Sequence, residues 1–314
     1  MHEFELIDWI RSRIGAQREG AEGIGDDAVL VRPDDGRVWC VDTMVQDVHF
    51  RTSWSSWQDV GWKLLARNVS DIQAMGGCPT VFLLTLATAE TRHAQEIVEG
   101  IAEGIAAMCP GVSCVGGDTT RVTGSAMMTL SLMGRAVVDS VGSDRLWLRS
   151  SARVGQGVWV NGELGLAAAA LALLESGRAP AEIPDDFMRA HRRPFPRAVP
   201  EWARAHANIG ACIDVSDGFV ADALHICRAS GVRMQLRLPL PGDAILQPWA
   251  QMLGVSALDW QLAGGDDYVK VVTADACPGP EWSRVGEVLQ GDLGLTLLGA
   301  DGSPMSLPVG FRHF

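Results

Sequence analysis

The sequence predicts a two-domain α+β protein, and three observations carry that expectation. The chain has 314 residues, above the roughly 250–300 at which a single core stops growing. Hydrophobic residues make up 47% and charged residues 20%, the balance of a globular chain. Segments with strand and helix periodicity alternate, break at the polar, Gly- and Ser-containing stretch from Asp139 to Gly157, and then begin again. The expected division is an N-terminal domain over 1–143, rich in strands with two helices, and a C-terminal α/β domain over 144–314.

In chain order, Phe4, Leu6, Ile7 and Ile10 beside Arg11 and Arg13 suit a short amphipathic helix. The acidic loop Gly23-Ile24-Gly25-Asp26-Asp27 opens into apolar strands at 28–31 and 38–45. Over 59–75, Leu65, Val69, Ile72 and Met75 share one helical face, and Pro79 reads as the stop. A strand at 81–87, a helix at 94–108 and strands at 112–115 and 126–133 complete this half. After the boundary come a strand at 158–161, helices at 165–175, around 199–206 and at 219–229, and strands at 232–236, 268–272 and 285–289.

Composition removes several classes of function. A net charge of −12 disfavours nucleic acid and anionic membranes as partners, since both reward clustered positive charge. Lysine occurs only at Lys63 and Lys270, and neither follows the glycine that a phosphate-binding P-loop needs. The seven cysteines are Cys40, Cys78, Cys109, Cys114, Cys212, Cys227 and Cys277. They form no Cys-x-x-Cys pair and follow no secretory signal, so reduced thiols in the cytoplasm are expected. Apolar runs such as 164–174 are shorter than the ~20 residues of a membrane span. There is no G-x-S-x-G elbow and no His/Cys metal spacing. Gly23 to Ala28 fits the loose dinucleotide pattern, but no apolar strand precedes it and two carboxylates would face the pyrophosphate.

Five segments join an aspartate to glycine or small polar residues: Gly25-Asp26-Asp27, Val41-Asp42-Thr43, Asn68-Val69-Ser70-Asp71, Gly116-Gly117-Asp118-Thr119-Thr120 and Asp214-Val215-Ser216-Asp217-Gly218. Glycine lets backbone approach a phosphate, and carboxylates are the hard oxygen ligands that magnesium prefers. Together they point to a metal-phosphate site. Each alone has an ordinary reading as well. Asp26 and Asp27 can be turn formers, Asp71 can pair with Arg67 one helical turn away, and Ser216 or Asp217 can cap the following helix. A cap and a phosphate site are compatible, because a helix N-terminus offers N–H groups to an anion.

The order of these segments resembles the thiamine-monophosphate kinase family, in the superfamily that also holds aminoimidazole ribonucleotide synthetase, selenophosphate synthetase and the hydrogenase-maturation dehydratase. The resemblance runs from Glu3-Phe4-Glu5-Leu6-Ile7 through Val48-His49-Phe50 and Gly264-Gly265-Asp266-Asp267-Tyr268 to Gly310-Phe311-Arg312-His313-Phe314. It implies a homodimer paired through the N-terminal domains, which bind ATP and metal, with the C-terminal domain completing the cleft. It implies ATP as co-substrate, several Mg2+ ions, and thiamine monophosphate as acceptor. By motif position Asp27, Asp42, Asp71, Asp118, Asp214 and Asp217 would be metal ligands. Gly117, Asp118, Arg149 and Ser216 would hold ATP, and His49, Asp266 and Phe311 the acceptor. The acceptor is itself an ionised phosphate monoester, so in-line transfer needs no general base and no covalent intermediate.

Five positions depart from the family pattern. Cys40 and Val41 stand where the family has Ser or Thr before the aspartate, Asp266 replaces Glu, Val269 replaces an acid, and Phe311 replaces Tyr. They leave two competing expectations: an ATP-dependent enzyme of the same superfamily with another small acceptor, and a nucleotide-binding protein without catalysis. The loop at 20–25 lacks the reactive Cys of selenophosphate synthetase, and Arg312-His313-Phe314 lacks the terminal Cys of the dehydratase.

Overall fold

Residues 37–45 alternate in burial: Val38, Cys40 and Met44 are inside, while Trp39 and Val41 face out. That period of two is what a sheet with one covered face requires. In the computed structural model, which describes residues 21–22, 29–31, 37–136, 146–199 and 208–307, this segment is strand β3 (Arg37–Val45). Short strands β1 (Ala21–Glu22) and β2 (Val29–Val31) precede it. The N-terminal helix, the loop carrying Asp27, nearly all of the helix at 199–206, the expected boundary after 143 and the segment carrying Phe311 lie outside the described residues. The chain divides into two units, the first ending at Leu146 and the second beginning at Trp147.

Helix α1 (Trp57–Ala74) starts at a capping box, Ser56 Oγ accepting from Asp59 N and Asp59 Oδ2 accepting from Ser56 N, both at 3.1 Å. It ends at Met75 and Gly76, whose φ is +76°. Pro79, expected to stop the helix, instead lies within strand β4 (Gly77–Thr88); the helix has already been closed by the glycine. Helix α2 (Thr91–Met108), strand β5 (Ser113–Arg121) and strand β6 (Met127–Ala136) follow. The six strands run in the order β1-β2-β3-β6-β4-β5. The helices cover one face, where Met44, Phe82, Leu86, Met128, Leu130 and Leu132 meet Leu64, Leu65, Val69 and Ile72 of α1.

The second unit contains β7 (Gly157–Val160), α3 (Leu166–Glu175), α4 (Asp185–Arg192), β8 (Ile209–Asp214), α5 (Phe219–Ser230) and β9 (Arg233–Arg237). Then come α6 (Asp243–Leu253), α7 (Ala257–Ala263), β10 (Lys270–Ala274), β11 (Ser283–Leu289), β12 (Gly294–Leu298) and β13 (Pro304–Met305). Its sheet order is β13-β12-β9-β11-β7-β10-β8. Val160, Ile213, Phe219, Ala223, Ile226 and Val271 are at its core. β10 is antiparallel to both β7 and β8, so the C-terminal ends of β7 and β8 and the N-terminal end of β10 meet at one edge of the sheet. Two mixed α and β units are the architecture that the sequence predicted. No helix among the described residues is long and apolar enough to cross a membrane.

Two glycines set how closely α1 and α2 approach. A Cβ on Gly61 would stand 2.0 Å from Ile97 O, and one on Gly100 would stand 1.9 Å from Gln58 O. Helix propensity alone would make Gly100→Ala stabilising by about 1 kcal/mol. The backbone clash should reverse that sign, so we expect a net loss of roughly 2 kcal/mol or more by denaturant unfolding. A neutral or stabilised Gly100→Ala protein would contradict the helix contact.

Candidate functional site

The sheet edge where β8 ends and β10 begins gathers four of the expected site residues. Asp214 closes β8 and is buried. The chain then turns through Ser216 and Asp217 into α5, whose cap residue is Gly218 with φ +118° and no side-chain cap. The expectation that Ser216 or Asp217 caps this helix is therefore corrected. The capping direction is inverted: Asp222, in the first turn of α5, turns back so that its Oδ2 accepts from Ser216 N at 3.0 Å and Asp217 N at 3.1 Å. Those two donors are thus committed to a carboxylate within the fold. Burial first, and then the nearby Asp217 and Asp214 charges, push the Asp222 carboxyl well above its usual range, and Arg149 opposes them.

The loop 264–268 is sewn to this turn by backbone. Asp266 N donates to Ser216 O at 2.9 Å, Tyr268 N to Val215 O at 2.8 Å, and Val215 N to Val269 O at 2.9 Å. Asp266 and Tyr268 both have positive φ, +65° and +50°, a conformation that costs a non-glycine residue free energy and persists only where its surroundings impose it. Tyr268 Oη donates to Asp266 Oδ1 at 2.6 Å, which fixes the carboxylate that the sequence pointed to as an acceptor contact. Asp214, Ser216, Asp217 and Asp266 are thereby brought together. Arg149, in a 3-10 turn, joins them through its charge on Asp222, and its carbonyl accepts from Ser230 Oγ at 2.7 Å.

In the first unit, Asp42 on β3 accepts from Arg67 of α1 at 3.1 Å. Asp71, one turn further along α1, hydrogen-bonds the buried Cys40 thiol, whose sulfur is also 3.4 Å from Asn68 O. Burial, then Asp71 and Asp42, push that thiol up. Asp42 and Asp71 are thus neighbours about Cys40, and Arg67, only 17% exposed, reaches toward the sheet. His49 sits in the turn after β3 and accepts from Val45 N on Nδ1 at 3.1 Å.

Gly117 and Asp118, beyond the strand expected at 112–115, lie inside β5, an edge strand of the sheet. A Cβ on Gly117 would stand 1.9 Å from Leu84 O, so glycine is what lets β5 pair there. Asp118 lies in a row with Thr85, Thr129 and Thr43, and Asp42 in the adjacent row with Leu130, Leu84 and Gly117. Three strand spacings, about 14 Å, separate the β3 and β5 positions, and alternation puts Asp42 and Asp118 on opposite faces. The first unit therefore does not bring them together. Among the described residues no three His, Cys, Asp or Glu side chains group closely enough to hold an ion between them. Magnesium, however, commonly takes only one or two carboxylates, with water and substrate phosphates completing its shell. The pairs Asp42/Asp71 and Asp214/Asp217 fit that mode.

Sequence reasoning missed Asp222, Asp267 and Tyr268. Asp267 Oδ2 accepts from Gly165 N at 2.8 Å, at the start of α3, and removal from water pushes its carboxyl up to about 8. An unfolded aspartate ionises near pH 4. The folded state thus holds more protons between about pH 4 and 8, and the stability this contributes is present below the unfolded value and lost as pH rises toward 8. Asp267→Asn, which keeps an acceptor for Gly165, should gain on the wild type in melting temperature between pH 5 and 8. A constant gap across that range would reject this assignment.

Comparison with known proteins agrees with the geometry. Residues 25–138 match the family "AIR synthase related protein, N-terminal domain". The thiamine-monophosphate kinase of Mycobacterium tuberculosis is 38% identical over 305 residues, covering 92% of this chain and 85% of that protein. The Bacillus subtilis thiamine-monophosphate kinase is 31% identical over 339 residues, covering 100% of both. Among solved structures, AaThiL complexed with AMPPCP and TMP superposes with a TM-score of 0.84 at 27% identity, covering 100% of this chain and 97% of that one. Thiamine-monophosphate kinase from Stenotrophomonas maltophilia superposes with a TM-score of 0.72 at 32% identity, covering 96% and 98%. With the shared two-domain AIR synthase-like fold and relatives above 30% identity along nearly its whole length, the chain belongs to the thiamine-monophosphate kinase family.

Proposed function

We propose that this chain transfers the γ-phosphoryl group of ATP to the phosphate of thiamine monophosphate, giving thiamine diphosphate and ADP, with magnesium, in the cytoplasm and as a homodimer. One observation supports this reading above the others: the backbone seam that holds Asp266 beside Ser216 and the Asp214–Asp217 turn. It sets the expected acceptor contact next to expected ATP and metal contacts on one sheet edge. The relatives' reaction and the AMPPCP and TMP complex of AaThiL support the same substrates.

Under this reading Arg149 and Ser216 hold ATP with Gly117 and Asp118, while Asp266, held by Tyr268, orients the acceptor with His49 and Phe311. Asp42, Asp71, Asp214 and Asp217, with Asp27 and Asp118, would hold magnesium, which would neutralise the phosphates and align them in line. Asp222 keeps the Ser216–Asp217 turn in place without touching substrate. The acceptor phosphate is largely ionised at neutral pH, so no protein base is required. All seven cysteines are free thiols, which supports a reducing compartment.

The pairing surface follows from the uncovered face of the first unit's sheet. Val41, Ser131 and Leu83 form one row across β3, β6 and β4, and Trp39, Val115 and Met127 extend it; Val41 and Val115 are 63% and 61% exposed. A contiguous apolar sheet face left to water is the mark of an interface, and Asp118 lies on the same face. A second copy seated there would bury it and bring its own Asp118 to that surface.

The deciding experiment incubates the protein with ATP, magnesium and thiamine monophosphate and measures thiamine diphosphate and ADP. Product should vanish in chelator and return with magnesium. Asp71→Asn should lower turnover by about two orders of magnitude or more without lowering the melting temperature. The control Arg92→Ala, in the exposed pair Arg92–Glu96, should cost no more than about 0.5 kcal/mol and leave turnover intact. Turnover in chelator after exhaustive metal removal would defeat the mechanism. Separately, Leu83→Arg should convert a dimer into a monomer by light scattering; a wild type that is already monomeric would refute the pairing surface.

A further inference from the structure

Resting on the reading that Asp42 and Asp71 take up magnesium, one further residue of the first unit acquires a role, Arg67. Strand β3 turns its even-numbered residues Val38, Cys40, Asp42 and Met44 to the face that α1 covers. Helix periodicity sets Arg67 and Asp71 one turn apart on α1. The Arg67 side chain leaves its own helix: Nη2 donates to Asp42 Oδ1 at 3.1 Å, across the helix–sheet interface. Both side chains are mostly out of water, 17% and 21% exposed. Their attraction is therefore screened much less than that of a surface pair such as Arg92–Glu96.

The neighbours of this ion pair add no positive charge. The Cys40 thiol hydrogen-bonds Asp71 and feels the charge of both acids. Burial, then Asp71 and Asp42, push that thiol up, so it stays neutral. Asn68, whose Nδ2 donates to Leu64 O at 2.9 Å, is neutral as well. Two carboxylates and one guanidinium carry a formal charge of −1, where the two acids by themselves would carry −2. A guanidinium keeps its charge when partly buried, and its N–H groups hold a carboxylate oxygen in a fixed direction. Magnesium draws on the same oxygens and the same negative charge. An ion that binds Asp42 best when Arg67 has let go sees its affinity reduced by the fraction of time the pair is open.

We propose that Arg67 sets how tightly the Asp42–Asp71 pair takes up magnesium: its guanidinium supplies part of the positive charge these acids need, and a divalent cation competes with it for Asp42. The test uses the full chain without nucleotide. Melting temperature is followed against MgCl2 at fixed ionic strength, and Mn2+ binding is read by electron paramagnetic resonance. Arg67→Met and Arg67→Gln should melt below the wild type without metal. Their midpoints for Mg2+ and Mn2+ should fall by about tenfold or more. Arg67→Lys, which keeps the charge, should stay within about threefold of the wild type. In an Asp42→Asn background, Arg67→Met should add no further change. Neutral variants with wild-type midpoints for both ions overturn the inference. Neutral variants that fold only with magnesium uphold it, whereas variants that fail to fold even in magnesium overturn it, because the ion then cannot replace the guanidinium. The metal reading is decided separately. Asp42→Asn that binds Mn2+ as the wild type does removes metal from Asp42, and the role of Arg67 with it. Asp42→Asn that loses Mn2+, with Arg67→Met at the wild-type midpoint, keeps metal at Asp42 and removes only the role of Arg67.

Discussion

Everything arranged at the second unit's sheet edge depends on a short run of backbone hydrogen bonds between the 215–216 turn and the loop before β10. These bonds are main-chain, so they survive side-chain variation on either loop, and they impose the positive φ of Asp266 and Tyr268. The local conformational cost is of order 1–3 kcal/mol per residue. It is offset because Tyr268, 2% exposed, buries its ring while its hydroxyl finds Asp266. The strain and the hydrogen bond have one outcome: a carboxylate with a fixed direction, in a loop that could otherwise wander.

Two further carboxylates, Asp222 and Asp267, support that seam from either side. Each faces backbone N–H groups from a neighbouring segment, and loss of water pushes each carboxyl up, Asp267 to about 8. A neutral acid can accept those hydrogen bonds without adding another negative charge to a region that already holds Asp214 and Asp217. Asp222 and Asp267 can thus sit beside Asp214, Asp217 and Asp266, because these two carboxyls shape the backbone of the turns.

Much of this was legible in the sequence, and the failures have physical causes. Long periodic segments such as α1 and α5 were located to within a few residues, since apolar spacing directly encodes the buried face. The Gly-Gly-Asp-Thr-Thr segment was left outside the strand expected at 112–115 because glycine and small polar residues argue against a strand. β5 tolerates them as an edge strand that needs Gly117 to approach Leu84. The aspartates of the turns were found by composition. Asp222 was not, because an acid in a helix's first turn looks like an ordinary dipole partner, and only the fold shows it reaching back to Ser216 and Asp217. The choice of Asp266 over Asp267 could be made from family pattern alone; their opposite roles, one held out by Tyr268 and one folded under α3, are set by a backbone twist that no periodicity reveals.

The scarcity of lysine bears on how phosphates are handled here. The two lysines are 3% and 0% exposed, Lys63 within α1 and Lys270 beginning β10, where its Nζ donates to Tyr268 O at 3.3 Å. A buried ammonium serving a backbone carbonyl cannot also swing out to a phosphate. With net charge −12 and both lysines buried, arginine is the long cationic side chain left to meet anionic substrates. Arginine keeps its charge when partly desolvated and holds phosphate oxygens in a fixed plane, which a mobile ammonium does not. On the proposed reading, Arg149 beside the Asp214–Asp217 turn would then meet ATP where a P-loop lysine otherwise would, and bound magnesium would keep the neighbouring carboxylates from repelling the nucleotide's phosphates.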